Sequence, residues 1–205
     1  MSSGPERAEI AGLIAGLGSP DIASRERSAG ELFRSGLASA RAATSEWLAD
    51  PAFAANFVLD ATQFPATTVG IAVTPETFER VRAANGSPRL ADVPPDQDAK
   101  EFELHFALAV HLDILTTREP GGKGAIARYL QKFGEGIQQV ELLARNVDAA
   151  TEILRLRFGV QPIYPATRAG ADGTRVNFFL VSLPAKAPEQ GKILIELVEL
   201  PAPNK

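Results

Sequence analysis

The chain has no cysteine among its 205 residues, which excludes disulfide bonds, thiolate metal sites and a cysteine nucleophile. It also lacks an apolar stretch near the ~20 residues needed to span a bilayer. Residues 1–7 read MSSGPER and lack the basic start and apolar run that mark a signal peptide. We therefore expect a cytoplasmic protein with no membrane partner.

The charge pattern argues against a nucleic-acid partner. The formal net charge is -4, and acidic and basic residues are mixed along the chain without a basic patch interleaved with aromatic residues. The hydrophobic share of 45% is ordinary for a globular protein and predicts a buried core. The length allows one large domain or a domain with an appendage.

The first 60 residues predict a helical segment. Apolar residues recur at helical spacing from Ile10 to Ile14, and residues 18–20, Gly-Ser-Pro, interrupt the pattern. We predict a second helix that begins at Asp21 and a third that ends near Asp50. The pattern resembles one HEAT-type helical hairpin, and such a unit cannot bury its apolar face alone. We therefore expect this segment to pack on the following domain or on a second subunit.

Two later segments share an order of predicted elements. Residues 66–117 predict a strand, a helix that begins near Thr74, and further strands with a period of two. Residues 118–136 predict a linker with a short helix. Residues 137–200 then repeat the order of strand, helix and further strands, with a Gly-rich turn between two strands at 170–173.

Two runs in the second of these segments resemble a known family. Residues 134–142 read GEGIQQVEL, and residues 193–199 read ILIELVE. Both are similar to the C-terminal half of the methylmalonyl-CoA epimerases, which belong to the vicinal oxygen chelate superfamily with glyoxalase I and the bleomycin-resistance proteins.

The resemblance implies an α+β fold in which two βαβββ modules form a curved mixed sheet with a central cleft. It places a glyoxalase-like domain at 61–205 after the helical segment 1–60. Within that domain it implies a first module at 66–117, a linker helix at 118–136 and a second module at 137–200. Paired modules of this superfamily often dimerise, so the resemblance also implies a homodimer.

The resemblance further implies a set of metal-ligand positions. Members of the superfamily hold one divalent metal ion with four strand residues, and the matching positions here are Thr68, Asp113, Gln139 and Glu196. The epimerases usually carry histidine at the positions of Thr68 and Gln139. Imidazole nitrogen gives first-row transition metals much of their affinity, whereas oxygen ligands suit Mg²⁺, Mn²⁺ or Ca²⁺. We therefore expect no tightly bound transition metal, and leave open a weakly bound divalent cation.

Strand alternation predicts that two further side chains face the same side of the cleft as these positions. His111 lies two positions from Asp113 and Glu141 two positions from Gln139, so each pair faces one side of its strand. Carboxylates held close together raise one pKa and create a potential proton donor and acceptor. The candidates for catalysis are Glu196, Glu141 and Asp113, and those for ligand binding are Thr68, His111, Gln139 and Glu196. The competing interpretation is that these carboxylates are solvated residues on an open sheet face and that His111 is a surface or structural residue.

Three functions follow from these observations. The first is small-molecule binding in the cleft, as in the bleomycin-resistance proteins, and the loss of imidazole ligands favours it. The second is a metal-dependent isomerase, epimerase or lyase of the methylmalonyl-CoA epimerase type, with Glu196 as a base. The third is an interaction protein in which the helical segment contacts a partner. We rank binding first and interaction last. The fold alone decides none of them.

Overall fold

The computed structural model describes residues 4–60, 62–107, 109–183 and 191–201. Within this part of the chain, one compact unit comprises residues up to 37 together with 68–138, and a second comprises 38–67 together with the residues from 139 onward. We refer to these as the first and the second unit. The domain boundary near residue 60 that the sequence suggests stays a prediction.

The N-terminal segment is helical, as predicted, but contains a different set of helices. Helix α1 covers Gly4–Leu17, α2 covers Ile22–Leu48 and α3 covers Pro51–Ala54. The prediction of separate second and third helices is wrong, because α2 is one helix of 27 residues. Its buried positions continue at helical spacing across both predicted helices: Ala29, Leu32, Ala40, Thr44 and Trp47.

Close packing against a strand explains why a glycine, Gly36, lies within α2. A Cβ atom at Gly36 would lie 2.6 Å and 2.7 Å from the two γ-carbons of Val69, which is fully buried. The helix therefore approaches the neighbouring strand of the first unit at a distance that only glycine permits. A single glycine inside a helix is tolerated when packing requires it, which is the case here.

Gly36→Ala is expected to lower the free energy of unfolding by about 1–3 kcal/mol, because the added methyl overpacks a buried contact. The matched control is Gly12→Ala in α1, where an added Cβ meets no atom within 4 Å. That control should stabilise the protein by up to about 1 kcal/mol through helix propensity. Urea unfolding of both variants measures the difference, and equal effects would contradict the packing argument.

The first unit contains a three-stranded mixed sheet. Its strands are β1 at Thr67–Ala72, β2 at Lys100–Phe106 and β3 at Val110–Thr116. Strand β3 is central, pairing parallel with β1 and antiparallel with β2. Helices α4 at Pro75–Ala84 and α5 at Ala125–Phe133 complete the unit.

The predicted helix start near Thr74 is confirmed. The Thr74 side chain accepts a hydrogen bond from the backbone N–H of Thr77, and proline occupies the first turn of α4.

The described residues 87–99 contain neither helix nor strand. The described residues of the predicted first module, 66–117, therefore contain three strands, one fewer than the βαβββ pattern.

The second unit contains a four-stranded mixed sheet. Strand β4 covers Gly136–Ala144 and enters this unit at Gln139, and helix α6 follows at Val147–Arg157. Strands β5 at Arg168–Ala169, β6 at Arg175–Ser182 and β7 at Lys192–Glu199 complete the sheet. The order is β4-β7-β6-β5, in which β4 and β7 are parallel and the other pairs are antiparallel.

The turn predicted at 170–173 is confirmed. A short 3₁₀ turn at Ala171–Gly173 joins β5 to β6. The predicted helix after β4 is also confirmed, with Asn146 as its N-cap, whose side chain accepts a hydrogen bond from the N–H of Ala149.

Aromatic rings from the helical segment form part of the core of the second unit. Phe53 is fully buried, and its ring centroid lies 6.1 Å from Trp47, 4.8 Å from Phe57 and 6.3 Å from Phe158. Trp47 in turn lies 6.5 Å from Phe179 of β6.

The helices and mixed strands described above confirm the α+β class with an N-terminal helical segment. No helix in the described part of the chain is long and apolar enough to cross a membrane.

Candidate functional site

The sheet of the second unit has two chemically different faces. Buried apolar residues from three strands lie on one face: Val140, Leu142, Phe179, Ile195 and Leu197. The alternate positions form the opposite face. There Glu196 lies between Glu141 of β4 and Phe178 of β6 in the strand register. The second face therefore carries carboxylates beside an aromatic ring.

An amide joins the two carboxylates on this face. The Gln139 side-chain nitrogen donates to Glu196 Oε2 at 2.5 Å and to Glu141 Oε1 at 3.2 Å. Gln139 and Glu196 are buried, and Glu141 is half-buried. The amide orientation follows from its neighbours, because an amide oxygen turned toward two carboxylates would face two acceptors. We call these three residues the Gln139 cluster.

The structure brings together three of the sequence-predicted site residues and places the others in the first unit. Asp113 of β3 lies opposite Gly70 and opposite Glu103, and His111 lies opposite His105. Thr68 shares the face of β1 that carries Gly70, since the two are separated by two positions. The competing interpretation, in which these carboxylates are solvated, is wrong for Asp113 and Glu196, which are 5% and 7% exposed.

The two histidines of the chain contact each other on this first-unit face. Their ring centroids lie 4.7 Å apart, and His105 Nε2 lies 2.7 Å from Glu103 Oε2. Burial lowers the pKa of His111, the neighbouring His105 lowers it further, and Glu103 opposes the shift. His111 is therefore a neutral imidazole at neutral pH, able to donate or accept a hydrogen bond but not a fixed cation.

The Gln139 cluster does not fit a tightly bound transition metal. Its three side chains offer oxygen ligands only, and the Gln139 nitrogen donates to the same carboxylates that a cation would need. Across the described residues, no group of three or more His, Asp and Glu side chains is arranged to hold a metal ion. Within the second unit, Gln139 and Glu196 are thus members of a hydrogen-bonded amide–carboxylate group.

The structure adds three residues that the sequence analysis did not single out. Phe178 lies opposite Glu196, the Tyr164 ring lies 5.9 Å from the Phe178 ring, and the Arg168 guanidinium lies 4.3 Å from the centroid of Tyr164. The hairpin turn predicted at 170–173 was the signal that could have found them. Pairing the flanking strands across that turn would have placed Arg168 beside β6.

The chain resembles solved structures of methylmalonyl-CoA epimerases. It is 32% identical to the enzyme from Mycobacterium tuberculosis, with a TM-score of 0.51 over 66% of this chain and 87% of that chain. It is 25% identical to a Streptomyces coelicolor epimerase in complex with 2-nitronate-propionyl-CoA, with a TM-score of 0.53 over 72% of this chain and 96% of that chain.

A third similar structure is a methylmalonyl-CoA epimerase in complex with methylmalonyl-CoA and ammonium, 26% identical, with a TM-score of 0.52 over 68% of this chain and 96% of that chain. No protein-family model matches the chain. No curated protein matches it either.

Proposed function

Because this chain belongs to the vicinal oxygen chelate superfamily, we propose that it binds a small molecule at the Gln139 cluster without a tightly bound transition metal. The proposal rests on one observation above the others. Both N–H groups of the Gln139 amide are used by Glu141 and Glu196. Two carboxylates in a partly buried site must be compensated, and here an amide supplies part of the compensation that a cation would otherwise provide.

The surroundings of the cluster support a small ligand with an apolar part. Phe178 lies directly opposite Glu196, and Leu194 lies opposite both Gln139 and Leu180. Ligand sites commonly combine an apolar lining with a few polar groups that fix orientation. Two of the similar structures hold CoA thioesters or their analogues, so acyl-CoA thioesters are the first ligand class to test.

The test is a calorimetric titration of the purified chain with methylmalonyl-CoA, with and without EDTA, and a parallel titration with Co²⁺. We expect the same thioester affinity in both conditions and no stoichiometric Co²⁺ binding at micromolar concentration. Weak Mg²⁺ or Mn²⁺ binding at millimolar concentration is compatible with the oxygen ligands. Stoichiometric Co²⁺ binding that is lost in Glu196→Gln, or thioester binding that EDTA abolishes, would overturn the metal-free proposal.

A second candidate is an isomerase, epimerase or lyase, which the identity to an epimerase and the facing pair of Glu141 and Glu196 favour. Proton removal beside a thioester carbonyl by Glu196 leaves an enolate oxygen that needs a hydrogen-bond donor or an electrophile. The Gln139 amide cannot serve, because both of its N–H groups face carboxylates. We therefore rank catalysis second. Incorporation of deuterium from D₂O at the α-carbon of methylmalonyl-CoA, measured by mass spectrometry, would reverse this ranking.

Two further expectations from the sequence stay predictions. A homodimer is tested by sedimentation of the purified chain, and a cytoplasmic location by fractionation of cells. Neither is needed for ligand binding at the Gln139 cluster.

A further inference from the structure

A cation and two aromatic rings share the face that carries the Gln139 cluster. The rings of Tyr164 and Phe178 meet edge to face at 74°, and the Arg168 guanidinium lies 4.3 Å from the Tyr164 centroid. All three side chains are half-buried. An edge-to-face ring pair with a cation stacked on it is a favourable arrangement that holds the guanidinium in one direction.

The strand register shows that Arg168 faces the same side as the cluster. Arg168 pairs with Val176 across β5 and β6. Val176 is two positions from Phe178, so both project from the same face of β6. Phe178 pairs with Glu196, which pairs with Glu141. Two strand spacings and two residues along the strand separate the Arg168 and Glu196 backbones by roughly 12 Å.

The segment that carries Tyr164 and Arg168 is fixed by hydrogen bonds within the second unit. The backbone N–H of Ile163 donates to the carbonyl of Phe178 at 2.7 Å. The Thr167 hydroxyl donates to Asp148 at the start of α6, and Arg175 donates to the other oxygen of the same carboxylate.

These contacts also keep the anchoring carboxylate charged. The hydrogen bonds from Thr167 and Arg175 hold the pKa of Asp148 below its ordinary value, despite partial burial. The Asp148 carboxylate is therefore ionised at neutral pH and keeps its hydrogen bond from Thr167. This bond holds the backbone of the next residue, Arg168, in place before a ligand binds.

The two ends of this face carry opposite charges. Glu141 and Glu196 repel an anionic group at the cluster, whereas the guanidinium of Arg168 attracts one. Arginine presents a planar fork of donors that matches the two oxygens of a carboxylate or a phosphate. The rings of Tyr164 and Phe178 lie between the two ends and suit an apolar part of the ligand.

We propose that Arg168 is the anion-binding residue of this site: it binds a carboxylate or phosphate oxygen pair of the ligand, whose apolar part lies along Tyr164 and Phe178. The ligand class is therefore an organic anion with an uncharged end directed at the Gln139 cluster. This inference rests on the proposed function, because it assigns the charge of the ligand that the same face binds.

The test compares two thioesters that differ in one charged group. Methylmalonyl-CoA carries a free carboxylate on its acyl group, and propionyl-CoA lacks it, while both carry the CoA phosphates. Arg168→Met removes the charge and keeps most of the side-chain length. The control is Arg155→Met, which removes an exposed arginine of α6 that pairs with Glu152 at 2.7 Å. Affinities are measured by calorimetry in EDTA, and far-UV circular dichroism checks the fold of each variant.

We expect Arg168→Met to weaken binding by about 10- to 100-fold, the size of a charge-assisted hydrogen bond, and Arg155→Met to leave it unchanged. Loss for methylmalonyl-CoA alone assigns the acyl carboxylate as the bound anion, and equal loss for both thioesters assigns a CoA phosphate. Either result supports the proposal. If Arg168→Met does not fold, Arg168→Lys keeps the charge without the fork and should show a smaller loss with the same dependence on the thioester.

Unchanged affinity of the Arg168 variant for both thioesters overturns the inference, as does failure of the wild-type chain to bind either of them both in EDTA and with added Mg²⁺. The first of these results leaves the proposed function in place, because the wild-type chain still binds a ligand in EDTA. Binding that requires a metal but still depends on Arg168 has the reverse meaning: the metal-free proposal fails and the assignment of Arg168 holds.

Discussion

Gln139→His is expected to raise the affinity of the protein for Co²⁺. An imidazole at this position would stand between Glu141 and Glu196, in place of the amide that now contacts both carboxylates. One nitrogen and two carboxylate ligands form a set that first-row transition metals bind far better than amide and carboxylate oxygens. Loss of an outer-shell partner alone typically costs 10–100-fold in metal affinity, so we expect gain of an inner ligand to raise Co²⁺ affinity by about 100-fold or more.

The matched control is Gln138→His, at the preceding residue of β4. Successive side chains of a strand point to opposite faces, so this histidine lies on the other side of the sheet and leaves the Gln139 cluster intact. Calorimetry and the visible absorption of bound Co²⁺ compare the two variants. Equal Co²⁺ affinity in both would contradict the assignment of Gln139 as the residue that replaces a metal ligand. Tight binding by the unaltered chain would contradict it as well.

Phe53→Ala is expected to destabilise the second unit strongly, with a loss of about 3–5 kcal/mol in the free energy of unfolding. The Phe53 ring is fully buried and lies near the rings of Trp47, Phe57 and Phe158. Removing it leaves a cavity that three other aromatic rings cannot fill without leaving their own positions.

The only tryptophan of the chain reports on this change directly. Trp47 lies 6.1 Å from Phe53, so its fluorescence follows unfolding of this core during a urea titration. Phe53→Leu keeps part of the volume and should cost less than Phe53→Ala. Leu156→Ala, at a position that is 66% exposed, should change stability by less than about 0.5 kcal/mol. A similar small effect of Phe53→Ala would show that the helical segment does not stabilise the second unit.

Several elements followed from local sequence alone, because their signals lie within a few residues. Thr74 followed by proline marks the start of α4, and Asn146 marks the start of α6. The division of the helical segment was predicted wrongly. The apolar positions suggested a second helix from Asp21 and a third that ends near Asp50, but α2 is one helix, in which Gly36 leaves room for Val69. No local pattern carries that information.

The candidate site was predictable in part. The resemblance placed Gln139 and Glu196 together, and strand alternation added Glu141, and the structure shows these three in contact. The direction of the Gln139 amide was not predictable, since it depends on which acceptors surround it. Arg168 was missed because its place on this face depends on the pairing of a two-residue strand.

The sequence by itself determined the chemistry that is available: no thiol, and carboxylates at Asp113, Glu141 and Glu196. It also determined which residues share a face of one strand, because that alternation is a property of an extended backbone. Only the tertiary structure decided that Gln139 meets Glu196, 57 positions along the chain, and that Asp113 and Glu196 are buried. The physical reason is that strand pairing and burial depend on contacts between distant segments, whose register is set by packing of the whole face and not by the residues of one strand.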